Sequence, residues 1–417
     1  MRHSISKWMK SAAAAISMMV VAACATTVPP TPSKPDATKL SFEAAVDQMT
    51  RELLANVAAD ATSLFGQRSA NVVIDPFVDR NSGEVPRASR DIEQIMIQSG
   101  KRYHPAFKLD RLSPATLKSA DYLIRGTIYP DSSQQAGKSD PDRYRLRATV
   151  RNLRKVRDIG TSVAWMVAPD LDYSPTPAYR DNPLYMGRGV IASRMASSPA
   201  GKAHRLDIGD VDGLRLRALL AEAESLYDKG SYEQALSRFE TALQSDGGRT
   251  LRAYAGRYMC NRKLGRRAES ASAFRQLVAF SIETHEMLMV KFLFGVNSAE
   301  FRPGDGRKRE YDLWIREIGA YFQESDHCIR IVGHSSRTGA EAWNRELSLN
   351  RAKTIQAMLK QTFPAADHRS RAVGRGFSEN IVGTGTDDER DALDRRVEIE
   401  LIACDLRQPG VMKGVEK

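Results

Sequence analysis

The residues best placed to do chemistry cluster between positions 333 and 351. Gly333-His334-Ser335-Ser336 reads as a turn after the β-branched run 329–332, and Asn344 and Arg351 follow within a helical pattern. Seven positions apart, Asn344 and Arg351 share one helix face, beside a stripe of Ser348, Ala352, Ile355 and Leu359 that belongs in a core. Such a polar strip can line a cleft. His334 and Ser336 bring hydrogen-bonding groups, Asn344 a donor and an acceptor, and Arg351 a permanent cation. This is the chemistry of recognition rather than of bond breaking. The chain has no Cys-x-x-Cys pair, no His-Glu-x-x-His, no Gly-rich phosphate loop and no nucleophile elbow. His104, His204, His285, His327 and His368 are scattered without metal-ligand spacing. The expectation is a binding protein, not an enzyme, with no metal and no cofactor.

The ordered set Gly333-His334, Asn344, Leu347-Ser348, Arg351-Ala352, Ile355, Leu359, Gly374-Arg375-Gly376 and Arg395-Arg396-Val397-Glu398 closely resembles the OmpA-like peptidoglycan-binding domains. The apolar run 290–294 reads as the unit's first strand, and the resemblance implies an α/β sandwich of order βαβαββ over residues 287–404. It also implies a cleft that grips diaminopimelate, the zwitterionic end of a peptidoglycan stem peptide. Arg351 matches the family Arg that takes the carboxylate, and a planar guanidinium suits that task through two parallel charge-assisted bonds. Asn297 matches the loop after the first strand, His334 and Asn344 flank the same turn and helix, and Arg395 with Arg396 precedes the last strand. One position departs from the pattern. Where the family carries an Asp for the ligand's ammonium group this chain has Ser336, which accepts a hydrogen bond but brings no charge. A lost charged partner typically costs about 1–3 kcal/mol, roughly ten- to a hundredfold in affinity. Asp387, Asp388, Glu389 and Asp391 are either a substitute carboxylate source or a solvated acidic loop.

The elements upstream must carry this unit. In residues 213–280, Gly230 and Gly265, Phe239 and Phe274, Ala242 and Leu277, and Ala221 and Gly256 correspond at one fixed spacing, close to that of helical-hairpin repeats. With Leu226, Tyr227, Tyr232, Ala235 and Leu236 in order, residues 205–286 resemble two tetratricopeptide units, which implies either a peptide-binding surface or a rigid spacer. Two hairpins rarely make a stable solenoid, so this segment is expected to pack on a neighbour. Residues 40–204 alternate helical and strand periods, as in an α/β domain. The runs 72–77 and 120–126 resemble the α/β domains of curli-secretion and TolB N-terminal type. Here Arg143, Arg145 and Arg147 alternate with Tyr144, Leu146 and Ala148, placing three guanidiniums on one strand face. That face is either simply solvated or a surface for a partner or for lipid headgroups.

The fold class expected is therefore multidomain, α/β plus α. The chain has 417 residues, 42 % apolar and 27 % charged, with a formal charge of +11. That composition excludes a collagen-like, wholly disordered or multi-span membrane chain. Arg2, Lys7 and Lys10 precede an apolar stretch too short to span a bilayer, so residues 1–23 read as a secretory signal. Val21-Ala22-Ala23-Cys24 resembles the lipobox of bacterial lipoproteins, which implies acylation of Cys24. The following Ala25, which is not Asp, implies the outer membrane, with the folded part facing the periplasm. Residues 24–39, rich in Pro, Thr and Ser, form a spacer reaching up to roughly 45 Å, and residues 405–417 a tail. Partners expected are peptidoglycan, the outer membrane through the lipid anchor and an envelope protein on the repeats, with no nucleic acid. Cys328 and Cys404 fall at the ends of two strands where a disulfide is possible, and Cys260 reads as a helix-packing residue.

Overall fold

The computed structural model describes residues 40–63, 66–67, 69–130, 142–185, 211–302, 304, 306–381, 385 and 390–404. The signal-like start, Cys24, the spacer, the tail and Asp387, Asp388 and Glu389 lie outside the described residues.

Helix α1 (Phe42–Ala61) starts at Ser41, whose Oγ accepts the Ala44 N–H at 3.3 Å, and buries Val46, Met49, Leu53 and Val57 at helical spacing. A small hairpin, β1 (Thr62–Ser63) and β2 (Gly66–Gln67), leads into β3 (Ala70–Ile74). Next come β4 (Val78–Asp79), α2 (Ala88–Tyr103), β5 (Phe107–Arg111) and α3 (Pro114–Leu117). Ser113 caps α3, accepting the Thr116 N–H at 3.2 Å, with Pro114 in the first turn where a missing N–H costs nothing. Strands β6 (Tyr122–Pro130), β7 (Arg143–Asn152) and β8 (Arg157–Val167) and the short α4 (Pro177–Arg180) complete the unit. The sheet order is β5-β3-β6-β7-β8, with β3 parallel to both neighbours and β6, β7 and β8 antiparallel. Val72, Ile74, Ile124, Leu146, Val150 and Met166 face the core beneath α1 and α2. The aromatic ring of Phe77 packs where a Cβ on residue 126 would stand, at 2.2 Å, which is why β6 carries Gly126.

Four helices follow: α5 (Val211–Asp228), α6 (Tyr232–Gln244), α7 (Leu251–Lys263) and α8 (Arg267–His285). Gly230 and Gly265 turn the chain after α5 and α7 at φ +78° and +74°. The capping bonds repeat with them. Gly230 N–H donates to Tyr227 O and Ser231 N–H to Leu226 O, and Gly265 N–H donates to Arg262 O and Arg266 N–H to Asn261 O. Two helical hairpins therefore close by the same local chemistry.

The C-terminal unit runs β9 (Met287–Val290), α9 (Lys308–Glu324), β10 (Cys328–Gly333), α10 (Glu341–Leu359), the short α11 (Ala366–Arg369), β11 (Ser370–Gly374) and β12 (Val397–Ile402). Its sheet order is β11-β10-β12-β9, with β10 parallel to β11 and β12 antiparallel to both its neighbours. The first strand lies earlier than the sequence reading of 290–294. The ladder ends at Val290, which pairs with Val397, the first residue of β12; beyond it the Lys291 ammonium meets the Glu84 carboxylate and the Tyr179 carbonyl. Cys328 and Cys404 are disulfide-bonded, with Cα atoms 5.1 Å apart, and Cys260 is buried within α7.

The described residues form one compact unit. Leu214 and Ala218 of α5 cover Val73 and Leu123 on the N-terminal sheet, and Arg217 pairs with Asp75 at 2.9 Å. At the other end, Trp314 donates its indole N–H to Tyr258 at 2.6 Å and Arg275 pairs with Glu317 at 2.9 Å. The hairpins are thus wedged between the two sheet-bearing parts. A third joint is direct: Tyr185 N–H donates to Met289 O at 2.9 Å and Lys291 N–H to Pro183 O at 2.8 Å, so residues 183–185 cover the outer edge of β9.

Candidate functional site

Helix α10 positions the polar set, and glycines let it come close. A Cβ on Gly333, at the end of β10, would lie 1.9 Å from the Ser348 carbonyl, and one on Gly374, at the end of β11, would lie 2.4 Å from that of Arg345. With both absent, the helix backbone rests on the two strand ends. Ser348 is not merely part of the apolar stripe: its Oγ donates to Arg345 O at 2.8 Å and accepts the Gly376 N–H at 2.9 Å. A hydroxyl inside an otherwise apolar stripe was the signal for that role.

Arg351 lies at the centre and is fully buried. Its Nε donates to Ser298 O, one terminal nitrogen to His334 O and the other to Gly295 O, each at 3.0 Å. The guanidinium carbon sits 5.5 Å from the centroid of the Phe294 ring. Thr354 adds a bond to Ala299 O at 3.2 Å. The cation thereby ties three pieces of chain together: the loop 295–299, the turn after β10 and α10 itself. The sequence reading had Arg351 and Asn344 lining an open cleft. Both are instead turned inward, Asn344 donating to the carbonyls of Thr338 at 2.6 Å and Ala340 at 3.1 Å, which fastens the loop before α10.

His334 is buried, with Nε2 3.6 Å from a Glu398 oxygen, and Arg396 donates Nε to the other carboxylate oxygen at 2.6 Å. Burial alone would raise the Glu398 carboxyl, but His334 and the Arg396 charge outweigh it and hold it down to about 2. Sequence reasoning missed Glu398 as the partner of His334; its place on β12, antiparallel to β10, makes the pair. Ser336 and Arg395 are buried as well. Asp391 is fully buried, so for that residue the solvated-loop reading is corrected: the 3₁₀ turn Arg390–Leu393 points its carboxylate inward.

Asn297 stands apart from this buried set. It is exposed at the tip of the loop held by Arg351, in the left-handed region at φ +50° that Asn tolerates better than most residues. Trp343 is 55 % exposed in the first turn of α10. An open groove of about 860 Å³ runs along another face of α10, lined by Arg345, Leu349, Lys353 and residues 371–374. Among the described residues no group of three or more His, Cys, Asp or Glu could hold a metal, and no helix is long and apolar enough to cross a membrane.

Residues 293–393 match the OmpA family model. Outer membrane protein A of Shimwellia blattae is 29 % identical over 126 residues, covering 28 % of this chain and 50 % of that protein, so the chain spans half the length of this relative. Among solved structures, the peptidoglycan-associated lipoprotein from Burkholderia pseudomallei is similar at 20 % identity and TM-score 0.23, over 27 % of this chain and 86 % of that one. The cell wall anchor of the T6SS from Pseudomonas aeruginosa is similar at 25 % identity and TM-score 0.24, over 31 % and 96 %. The periplasmic domain of Helicobacter pylori MotB is similar at 19 % identity and TM-score 0.23, over 29 % and 78 %. The segment 293–393, with its helix seated on two glycine-ended strands and its central arginine, is an OmpA family domain.

Proposed function

We propose that the chain is an outer-membrane lipoprotein that holds the envelope to peptidoglycan without a covalent bond, and that it does no catalysis. The observation that carries this reading is the OmpA family match with Arg351 in the family position, beneath the exposed Asn297. In this reading Arg351 works from under the wall it builds. Its charge attracts the carboxylate of a diaminopimelate stem peptide toward loop 295–298, while Asn297 offers an amide and Ser336 a hydroxyl for the ammonium group. His334 and Arg395 hold the floor of the same site. Cys24 carries the acyl chains, residues 25–39 span the gap to the folded part, and the tetratricopeptide-like hairpins with the α/β unit recruit a further envelope protein.

A second reading is favoured by one specific observation. Ser336 brings no charge, and the Arg351 nitrogens already hold three carbonyls, so the domain would serve as an accessory or structural part of an envelope complex with weak or no wall binding. Co-sedimentation with purified sacculi separates the two. The tether reading expects wild type in the pellet and Asn297→Ala reduced, with Ser336→Asp tighter by roughly ten- to a hundredfold. Wild type in the supernatant and Ser336→Asp in the pellet would make the accessory reading the right one. Failure of both to sediment would remove the peptidoglycan grip altogether.

A further inference from the structure

The face of the N-terminal sheet that α5 covers in part carries, farther along β6, β7 and β8, a row of side chains that the wall-binding reading does not use. Register places Tyr129 of β6, Arg145 of β7 and Trp165 of β8 side by side, and Arg80, just after β4, lies at the end of the row. The four alternate as cation and ring. The Arg80 guanidinium is 5.0 Å from the Tyr129 centroid, and Arg145 is 6.0 Å from Tyr129 and 4.8 Å from Trp165. Arg147 is exposed one step along β7, opposite Thr127 and Val163. Neither Arg145 nor Arg147 has a carboxylate partner among the described residues, and the Arg145 Nε is buried without a hydrogen-bond partner there. Asp79 of β4, next to Arg80 in the chain, is taken by Tyr173 and by the N–H groups of Asn81 and Ser82.

The basic run elsewhere on this domain is different. Arg151 and Arg125 both pair with Asp158 at 3.3 Å, Lys155 and Arg157 pair with Asp60 at 2.9 and 2.8 Å, and Arg154 pairs with Asp121 at 2.6 Å. Among the described residues, the cations of this run are paired with carboxylates, whereas Arg145 and Arg147 of the row are not. Its position is informative too. The chain enters the folded unit at Leu40, which bridges to Met166, and Val167 N–H donates to Leu40 O at 3.1 Å. Leu40, the first described residue, therefore pairs with the position next to Trp165.

We propose that this row is a docking surface for an anionic phospholipid bilayer, seating the N-terminal sheet on the membrane. Guanidiniums between Tyr and Trp rings match the phosphate layer of a membrane interface, where such rings settle at headgroup depth and each cation adds attraction to anionic lipid. That the membrane lies within reach rests on the lipid-anchor reading above; the surface chemistry does not.

The experiment uses the chain from residue 24 with Cys24→Ser, so that no acyl chain contributes, floated with vesicles of phosphatidylglycerol and phosphatidylethanolamine or of phosphatidylcholine alone. Binding to the anionic vesicles only, reduced roughly fivefold or more by Arg145→Glu and again by Arg147→Glu, and weakened by high salt, is the expected result. Trp165→Phe should also remove most of the tryptophan quenching by brominated lipid. The charge-matched control Arg345→Glu, on the C-terminal unit, should change nothing. No flotation, equal flotation on neutral vesicles, an equal effect of the control, or capture by an acidic polypeptide in place of vesicles would each overturn the proposal. Mass spectrometry of the native chain tests the anchor separately: an unmodified Cys24 with vesicle binding intact would sink the lipoprotein reading and leave this surface standing.

Discussion

In the C-terminal unit Arg351 is wrapped by three backbone carbonyls and shut away from water, whereas on the N-terminal sheet Arg145 is half-buried and Arg147 exposed, neither with a carboxylate among the described residues. The side chain is the same and the local backbone decides its use. A strand keeps its own carbonyls in the ladder, so a cation in mid-strand meets chiefly side chains or solvent, and Arg151 reaches a carbonyl, that of Val156, only at the turn beyond the strand end. Irregular chain such as loop 295–299 presents free carbonyls, and a planar guanidinium with several N–H groups can gather them from different segments. One arginine thus builds a fold while the others remain available to a partner.

The contrast is most sharply broken by Arg351→Ala. Leaving three carbonyls buried without donors should cost about 3–5 kcal/mol, a fall in thermal midpoint of many degrees by calorimetry. Arg145→Ala should cost less than about 1 kcal/mol, the scale of a partly exposed cation–ring contact. A C-terminal unit indifferent to Arg351→Ala would show the carbonyl cage to be incidental.

Next in size, reducing the Cys328–Cys404 bond frees a 76-residue span and should lower stability by about 2–4 kcal/mol. The loss should appear in proteolysis of the C-terminal strands and leave the N-terminal sheet protected.

Acid should act on both units through depressed carboxyls. Glu398 sits at about 2 in place of its ordinary 4.5, and Asp60 at about 2 in place of 3.8. For Asp60, burial pushes up and is outweighed by hydrogen bonds from Lys155, Asn152 and Tyr122. Because the folded values lie below the ordinary ones, these groups stabilise fully above about pH 4.5, and the contribution disappears as pH falls toward 2. Denaturation midpoints measured across that window should decline, and Glu398→Gln should flatten the decline in the C-terminal unit alone. The smallest effect belongs to Arg147→Ala, which should leave the thermal midpoint unchanged within about one degree.

Periodicity made much of the C-terminal unit legible. The helix expected from about Glu341 and the strand 397–402 appear where the pattern put them, because their apolar stripes have nowhere else to go than the core between sheet and helices. The alternation in β7 also held, since Tyr144, Leu146 and Ala148 are covered by α1 while the arginines face away. The first strand was misplaced for a reason that no local pattern carries: its partner β12 begins at Val397, opposite Val290, so the ladder has nothing to pair with beyond that residue. The candidate site was legible as a set of residues, not as a geometry. Helical spacing put Asn344 and Arg351 on one face, but it is silent on whether that face meets water or a folded loop.

From its residues alone the chain specified an OmpA-like motif, a repeated glycine turn, and a strand with arginines on one side, because each depends on neighbours within a few positions. Folding settled what those groups face. Arg351 meets the carbonyls of Gly295 and Ser298, His334 meets Glu398, and Arg145 is flanked by two rings, all through contacts between segments far apart in the chain. Such pairings follow from how layers stack and strands register, and those are properties of the whole chain once its cores have closed.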